Sequence, residues 1–149
     1  VMRYNKAIIL AASTLLVLVV LPGTAAAQDY KVVVNEANTV KELGQQQVSR
    51  CFMKQTTKWP NGLPVTPVDQ AASSAVRESF SENVLGRDVS AVKSYWQRQI
   101  FSGRGVPPPE KASDGEVLAF VRANPGAVGY VSWDADLGSG IKVLRVTSD

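Results

Sequence analysis

Asp69, Ser73 and Ser74 stand at the entrance to a stretch in which Ala72, Val76, Phe80 and Val84 recur every four positions. That spacing lays the four apolar residues along one face of a helix. The first turn of such a helix presents unpaired N–H groups and a partial positive charge. With two hydroxyls beside it, it is suited to capturing an oxyanion. Ser and Asp are also the usual caps, so an ordinary capped helix accounts for the same residues. Arg77, one turn in, either reaches the same ligand, pairs with Glu78 or Glu82, or faces solvent.

Other chemistry is sparse. The chain has no His, which removes the usual general base, the commonest metal ligand and every Ser-His or Cys-His nucleophile pair. Ser90 and Lys93 have the Ser-x-x-Lys spacing of penicillin-recognising enzymes, but no Ser-Asp-Asn or Lys-Thr-Gly partner occurs. Asp134 and Asp136 resemble the opening of a calcium loop. Gly138 then falls at the fifth position, Ser139 at the glycine position and Arg145 where a bidentate Glu belongs, so the segment reads as a polar turn. Cys51 is the single cysteine; it has no His to activate it and reads as a small buried hydrophobe. The paired glycines of Gly103-Arg104-Gly105 lack the preceding strand of a nucleotide fingerprint. The expectation is a non-catalytic protein without a cofactor or metal.

The first 27 residues read as an export signal. Arg3 and Lys6 precede an apolar run from Ala7 to Leu21, followed by Pro22-Gly23 and the small residues Ala25-Ala26-Ala27. Cleavage after Ala27 would leave residues 28–149 as one domain, periplasmic in a two-membrane bacterium and without stable membrane insertion. A retained anchor is the alternative, because the run with its flanks approaches the roughly 17 residues that span a bilayer. Of the 16 basic residues, Arg3 and Lys6 would leave with the signal, so 14 face 13 acidic ones. No basic block or aromatic-basic interleaving remains to track a nucleic acid.

These residues must be positioned by a small set of elements. Tyr30–Val34 reads as a strand buried on both faces. Thr39 and Glu42 have capping-box spacing, which predicts a first helix through Val40, Leu43, Val48 and Phe52 to about Met53. Trp59-Pro60-Asn61-Gly62 reads as a turn. The following segment 63–68 reads as a brief or edge strand because of Pro64 and Pro67, and strand, helix, strand implies a parallel crossover. After the central helix, Asp88 or Ser90 caps a third helix with Val92, Tyr95, Trp96 and Ile100 inward. Gly103 to Pro109 is a stiff connection. Ser113 and Glu116 open a fourth helix with Val117, Leu118 and Val121 inward, stopped at Asn124-Pro125-Gly126. Segments 127–133 and 141–146 read as two strands forming a marginal hairpin, with Leu144 out of phase.

Several of these segments together resemble a known family. Val33-Val34-Asn35, Trp59-Pro60-Asn61-Gly62, Phe80 to Gly86, Tyr95-Trp96, Phe101 to Gly105 and Asn124-Pro125-Gly126-Ala127-Val128-Gly129-Tyr130-Val131 resemble the phosphate-binding periplasmic proteins of ABC importers. They resemble a short, single-lobe branch of that superfamily more closely. The resemblance implies an α/β fold: a single lobe of the type 2 periplasmic-binding-protein-like fold, with a mixed sheet flanked by about four helices. The family's phosphate signature is an Arg, three residues, then Ser-Gly-Thr at the start of the central helix. In the register anchored on Phe80, Gln70 stands at the Arg, Ser73 on a Gly, Ser74 on the Ser, Ala75 on the Gly and Val76 on the Thr. Only Ser74 is retained. Losing the cation and the hydroxyl is expected to cost about 1–3 kcal/mol each. The implied function is therefore weak oxyanion (phosphate) binding at Ser73 and Ser74. Asn35, at the end of the first strand, forms a lip, and Arg77 is a candidate ligand. The alternative is a ligand-free interaction module that meets a protein partner through a sheet edge or the former site.

Overall fold

The computed structural model describes residues 29–149; the expected export signal and its expected cleavage after Ala27 lie outside the described residues. Strand β1 (Tyr30–Asn35) is the second-to-last member of a four-stranded sheet of order β3-β6-β1-β7, in which β3 is Thr66–Pro67, β6 Ala127–Ser132 and β7 Ile141–Val143. β1 is antiparallel to both neighbours, while β3 runs parallel to β6. The sheet is therefore mixed. Two small parallel pairs flank it: β2 (Glu42–Gly44) with β8 (Arg145–Thr147), and β4 (Asp69–Gln70) with β5 (Glu110–Lys111). Four helices pack around these: α1 (Gln45–Phe52), α2 (Ala75–Phe80), α3 (Val89–Phe101) and α4 (Asp114–Ala123).

Alternation along β1 and β6 divides the core in two, as expected of strands buried on both faces. On one face Tyr30, Val32, Val34, Val128 and Tyr130 meet Val48, Cys51 and Phe52 of α1 and Phe80 of α2. Phe80 stacks on Tyr130 with ring centroids 3.9 Å apart, and Tyr30 meets Phe80 edge-on at 5.5 Å. On the other face Val33, Val68 and Val131 meet Val117, Leu118 and Val121 of α4. Cys51 is buried, and desolvation pushes its thiol up to about 11, which fits a packing role.

Several local expectations are corrected. The first helix begins at Gln45, with Gly44 as its N-cap and the Gly44 N–H donating to Gln47 Oε1 at 2.9 Å. The Thr39–Glu42 box does not form, because Glu42–Gly44 is drawn into pairing with Arg145–Thr147; tertiary pairing outweighs a local cap. The predicted crossover is not parallel. β3 lies beyond β6 from β1 and runs opposite to β1, and it covers only Thr66–Pro67 at the sheet margin, where Pro is tolerated. The predicted hairpin is absent too. β1 sits between β6 and β7, and Leu144 is buried at the bend where β7 leaves the sheet to become β8. In α3, Val92 and Trp96 are buried, whereas Ile100 is exposed. The central helix turns α-helical only at Ala75; at Ser81 it widens into a π-helical turn that ends at Gly86, whose φ of 63° suits glycine.

The Trp59 and Asn124 turns lock together. Trp59 Nε1 donates to Gly126 O at 2.8 Å, and Thr66 N–H donates to the same oxygen at 2.9 Å. A Cβ on Gly126 would stand 1.9 Å from Pro64 O, a backbone atom with no rotamer to change. Gly126→Ala is therefore expected to destabilise the protein by about 1–3 kcal/mol or more, measured as a shift of the urea midpoint.

Candidate functional site

The loop between β4 and α2 folds around one buried cation. Ser74 is the N-cap of α2, its Oγ accepting from Arg77 N–H at 3.4 Å and donating to Gln70 Oε1 at 2.8 Å. Arg77, on the first turn, is 4 % exposed. Its guanidinium bridges Asp69 Oδ2 at 3.1 Å and Glu110 Oε1 at 2.7 Å, and it donates to Gln70 O at 2.5 Å. Its Nε has no partner among the described residues. Burial of this group is sustainable because two carboxylates face it.

Asp69 is the hub. Besides Arg77 it accepts from Gln70 N–H at 2.9 Å and from the Tyr130 hydroxyl. Burial raises the Asp69 carboxyl, opposed by the Arg77 charge and the Tyr130 hydrogen bond. Burial, reinforced by the adjacent Asp69 charge, drives the Tyr130 phenol far above its ordinary value. Gln70 Nε2 donates to Asp114 Oδ1 at 2.8 Å and to Tyr130 O at 3.0 Å, so its amide faces inward.

Outside this network lies an open cleft of about 300 Å³ lined by Ala72, Ser73, Ser74, Glu78, Asp88, Val89 and Ser90. The N-terminal ends of α2 and α3 both border it, α3 being capped by Asp88, whose Oδ1 accepts from Ala91 N–H at 2.7 Å. Ser73 is exposed on its wall. The charged side chains lining it, Glu78 and Asp88, are both acidic.

The structure thus brings Ser73, Ser74 and Arg77 together and sets Asn35 apart. Asn35 ends β1, which runs opposite to β3, so the carboxyl ends of the two strands lie at opposite ends of the sheet. Its Nδ2 donates to the carbonyls of Val121 and Arg122 at 3.0 and 3.1 Å, closing the C-terminal end of α4. Arg77 pairs with neither Glu78 nor Glu82. Its partners are Asp69, just ahead of the helix, which carried a sequence signal as a candidate cap, and Glu110, which is distant in sequence and carried none. Glu110 and Tyr130 were missed as members.

Comparison with known proteins follows the geometry. No family model matches the sequence, and no curated protein matches it. Solved structures do. An ABC-type phosphate transport receptor from Vibrio cholerae superposes with a TM-score of 0.60 at 24% identity, over 81% of this chain and 47% of that one. A protein from Clostridium perfringens described as a phosphate ABC transporter substrate-binding protein, with phosphate bound, gives 0.62 at 20% identity, over 79% and 44%. PstS from Borrelia burgdorferi gives 0.57 at 14%, over 80% and 47%. The chain spans less than half the length of these structures. The likeness establishes the fold, an α/β lobe of the kind found in periplasmic phosphate-binding proteins.

Two consequences of the network are measurable. Arg77→Met should leave Asp69 buried without its cation and cost about 3–5 kcal/mol of stability, read by chemical denaturation at neutral pH. The Tyr130 phenol is raised in the folded state, so its contribution to stability is complete below its ordinary value of 10.0 and is lost as pH rises above it. Denaturant midpoints between pH 9 and pH 11 should therefore fall less steeply in Tyr130→Phe than in the parent; a residual slope from Cys51 and Tyr30, both raised by burial, is shared by both.

Proposed function

We propose that this chain is a non-catalytic, solute-binding-type lobe that meets phosphate or a similar oxyanion only weakly. The contact lies at the start of α2, through Ser73, Ser74 and the neighbouring N–H groups. The observation that carries this reading is the commitment of Arg77 to Asp69 and Glu110. The cation nearest the helix start is neutralised from within the fold, and Ser74 donates its hydroxyl to Gln70. An anion entering the cleft finds Ser73 and helix N–H groups, but also Glu78 and Asp88. Arg77 acts as structural support for the site, and Asn35 stands outside it. Delivery to the periplasm rests on the signal-like order of residues 1–27; among the described residues no helix is long and apolar enough to cross a membrane.

A second reading, an interaction module that engages a protein rather than a solute, is favoured by exposed apolar residues. Phe101 is 91 % exposed, and Ile100 and Val106 beside it are also open.

Calorimetry with phosphate and sulfate tests the first reading. The expected dissociation constant is near the millimolar range, about 4 kcal/mol of binding, and Ser74→Ala should weaken it further. Micromolar phosphate binding, or binding unchanged in Ser74→Ala, would remove this site. Absence of any binding heat would leave the interaction reading.

A further inference from the structure

The C-terminal end of α3 presents apolar side chains that the fold leaves uncovered. Phe101, the last residue of the helix, is 91 % exposed, and Ile100 and Val106 to either side of it in sequence are 51 % and 60 % exposed. Between Phe101 and Val106 the chain makes a closed turn. Ser102 Oγ donates to Arg98 O at 2.8 Å, Gly103 N–H to Ile100 O at 3.1 Å and Arg104 N–H to Gln99 O at 2.9 Å. The last carbonyls of the helix are thus satisfied from within, so covering this turn strands few polar backbone groups.

The charge around this tip is of one sign. Residues 89–109 hold Lys93, Arg98 and Arg104 and no acidic residue. Arg98 and Arg104 are exposed and pair with no carboxylate among the described residues. Lys54, from the segment after α1, comes to the same place, its Nζ donating to Pro107 O at 3.4 Å, and residues 50–58 are likewise free of acids. The flanking acids lie elsewhere. Asp88 caps the far end of the helix, about 20 Å away, and Glu110 is turned to Arg77. A second copy of the chain is a poor cover for this tip, because like charges would meet. A protein partner would have to supply a socket for the protruding Phe101. An anionic lipid interface needs none: it takes up an exposed aromatic side chain and attracts the cations beside it.

We propose that the α3 tip docks on an anionic lipid surface, with Ile100, Phe101 and Val106 entering the headgroup boundary and Arg98 and Arg104 meeting the lipid phosphates. Lys54 adds to the attraction. The contact is peripheral, in keeping with the lack of any helix long and apolar enough to cross a membrane among the described residues. It goes beyond both functions considered above: the apolar residues that favour an interaction module are committed to lipid rather than to a protein, and the α2 site takes no part.

The test uses the full chain carrying Phe101→Trp, so that tryptophan emission reports on the tip whatever residues 1–28 do, with the parent measured alongside. Vesicles are of phosphatidylcholine, with or without phosphatidylglycerol. The expected result is a blue shift on adding the anionic vesicles, beyond any shift of the parent. It should require about tenfold or more lipid when phosphatidylglycerol is omitted, or when Arg98→Gln and Arg104→Gln are added, and it should fade as salt is raised. All three positions are exposed, and circular dichroism checks the fold. Ser74→Ala in the same protein should leave the titration unchanged, so a failure of phosphate calorimetry bears on the oxyanion reading alone. The proposal is overturned if anionic vesicles give no shift beyond the parent's, which would leave the tip to a protein partner. It also fails if phosphatidylcholine alone or the Arg98, Arg104 variant titrates equally. Reversal of the shift by inorganic phosphate, beyond that of sodium chloride at equal ionic strength, would assign the cations to a free anion and likewise overturn it.

Discussion

A buried guanidinium is costly unless opposite charge meets it inside the fold, and the arrangement around Arg77 follows from that requirement. Asp69 and Glu110 come from β4 and β5, two short strands whose parallel pairing has no large apolar surface of its own. Their register places both carboxylates against Arg77. The Tyr130 hydroxyl then fixes Asp69, while the ring beneath it stacks on Phe80. One side chain thus joins the polar network to the apolar core. The helix start, the β4–β5 pair and the centre of the sheet are held as a unit.

This arrangement changes what a helix N-terminus can offer. In a binding site the donors must remain available to the ligand, with geometry fixed by groups that are not themselves donors to it. Here the fold uses the donors. Gln70 and Ser74 satisfy each other, and Asp114 accepts from both Gln70 and the Ser132 N–H. The cleft beyond is left with hydroxyl and amide groups among acidic neighbours.

Legibility from sequence depended on the range of the interaction. Helix α4 was readable because its signals are local: the Ser113 cap, the Val117-Leu118-Val121 face and the Asn-Pro-Gly stop lie within one window. β1 was readable for a similar reason, since a run of three valines has few other homes. The misplaced start of α1 shows the limit. Thr39 and Glu42 satisfy a capping rule, yet Glu42–Gly44 is claimed by β8, more than a hundred residues away. Strand direction was equally hidden, and with it the end of the sheet at which Asn35 lies, because a crossover and an antiparallel insertion look alike in a linear pattern. Ser74 was legible as the cap of α2. Glu110 and Tyr130 were not, because nothing near either residue in sequence signals a buried arginine.

The central position of β1 bears on the order in which the molecule can assemble. Tyr30 pairs opposite Ser132 and Asn35 opposite Ile141, so the innermost strand acquires both neighbours only when the C-terminal segments are present. Contacts of such long sequence separation require loop closure before any compensating burial, which slows the search for the native state. A nascent chain emerging from the ribosome can form its helices early, but its sheet waits for β6 and β7. Through most of synthesis the three valines of β1 stay uncovered by the sheet, available to a holding chaperone.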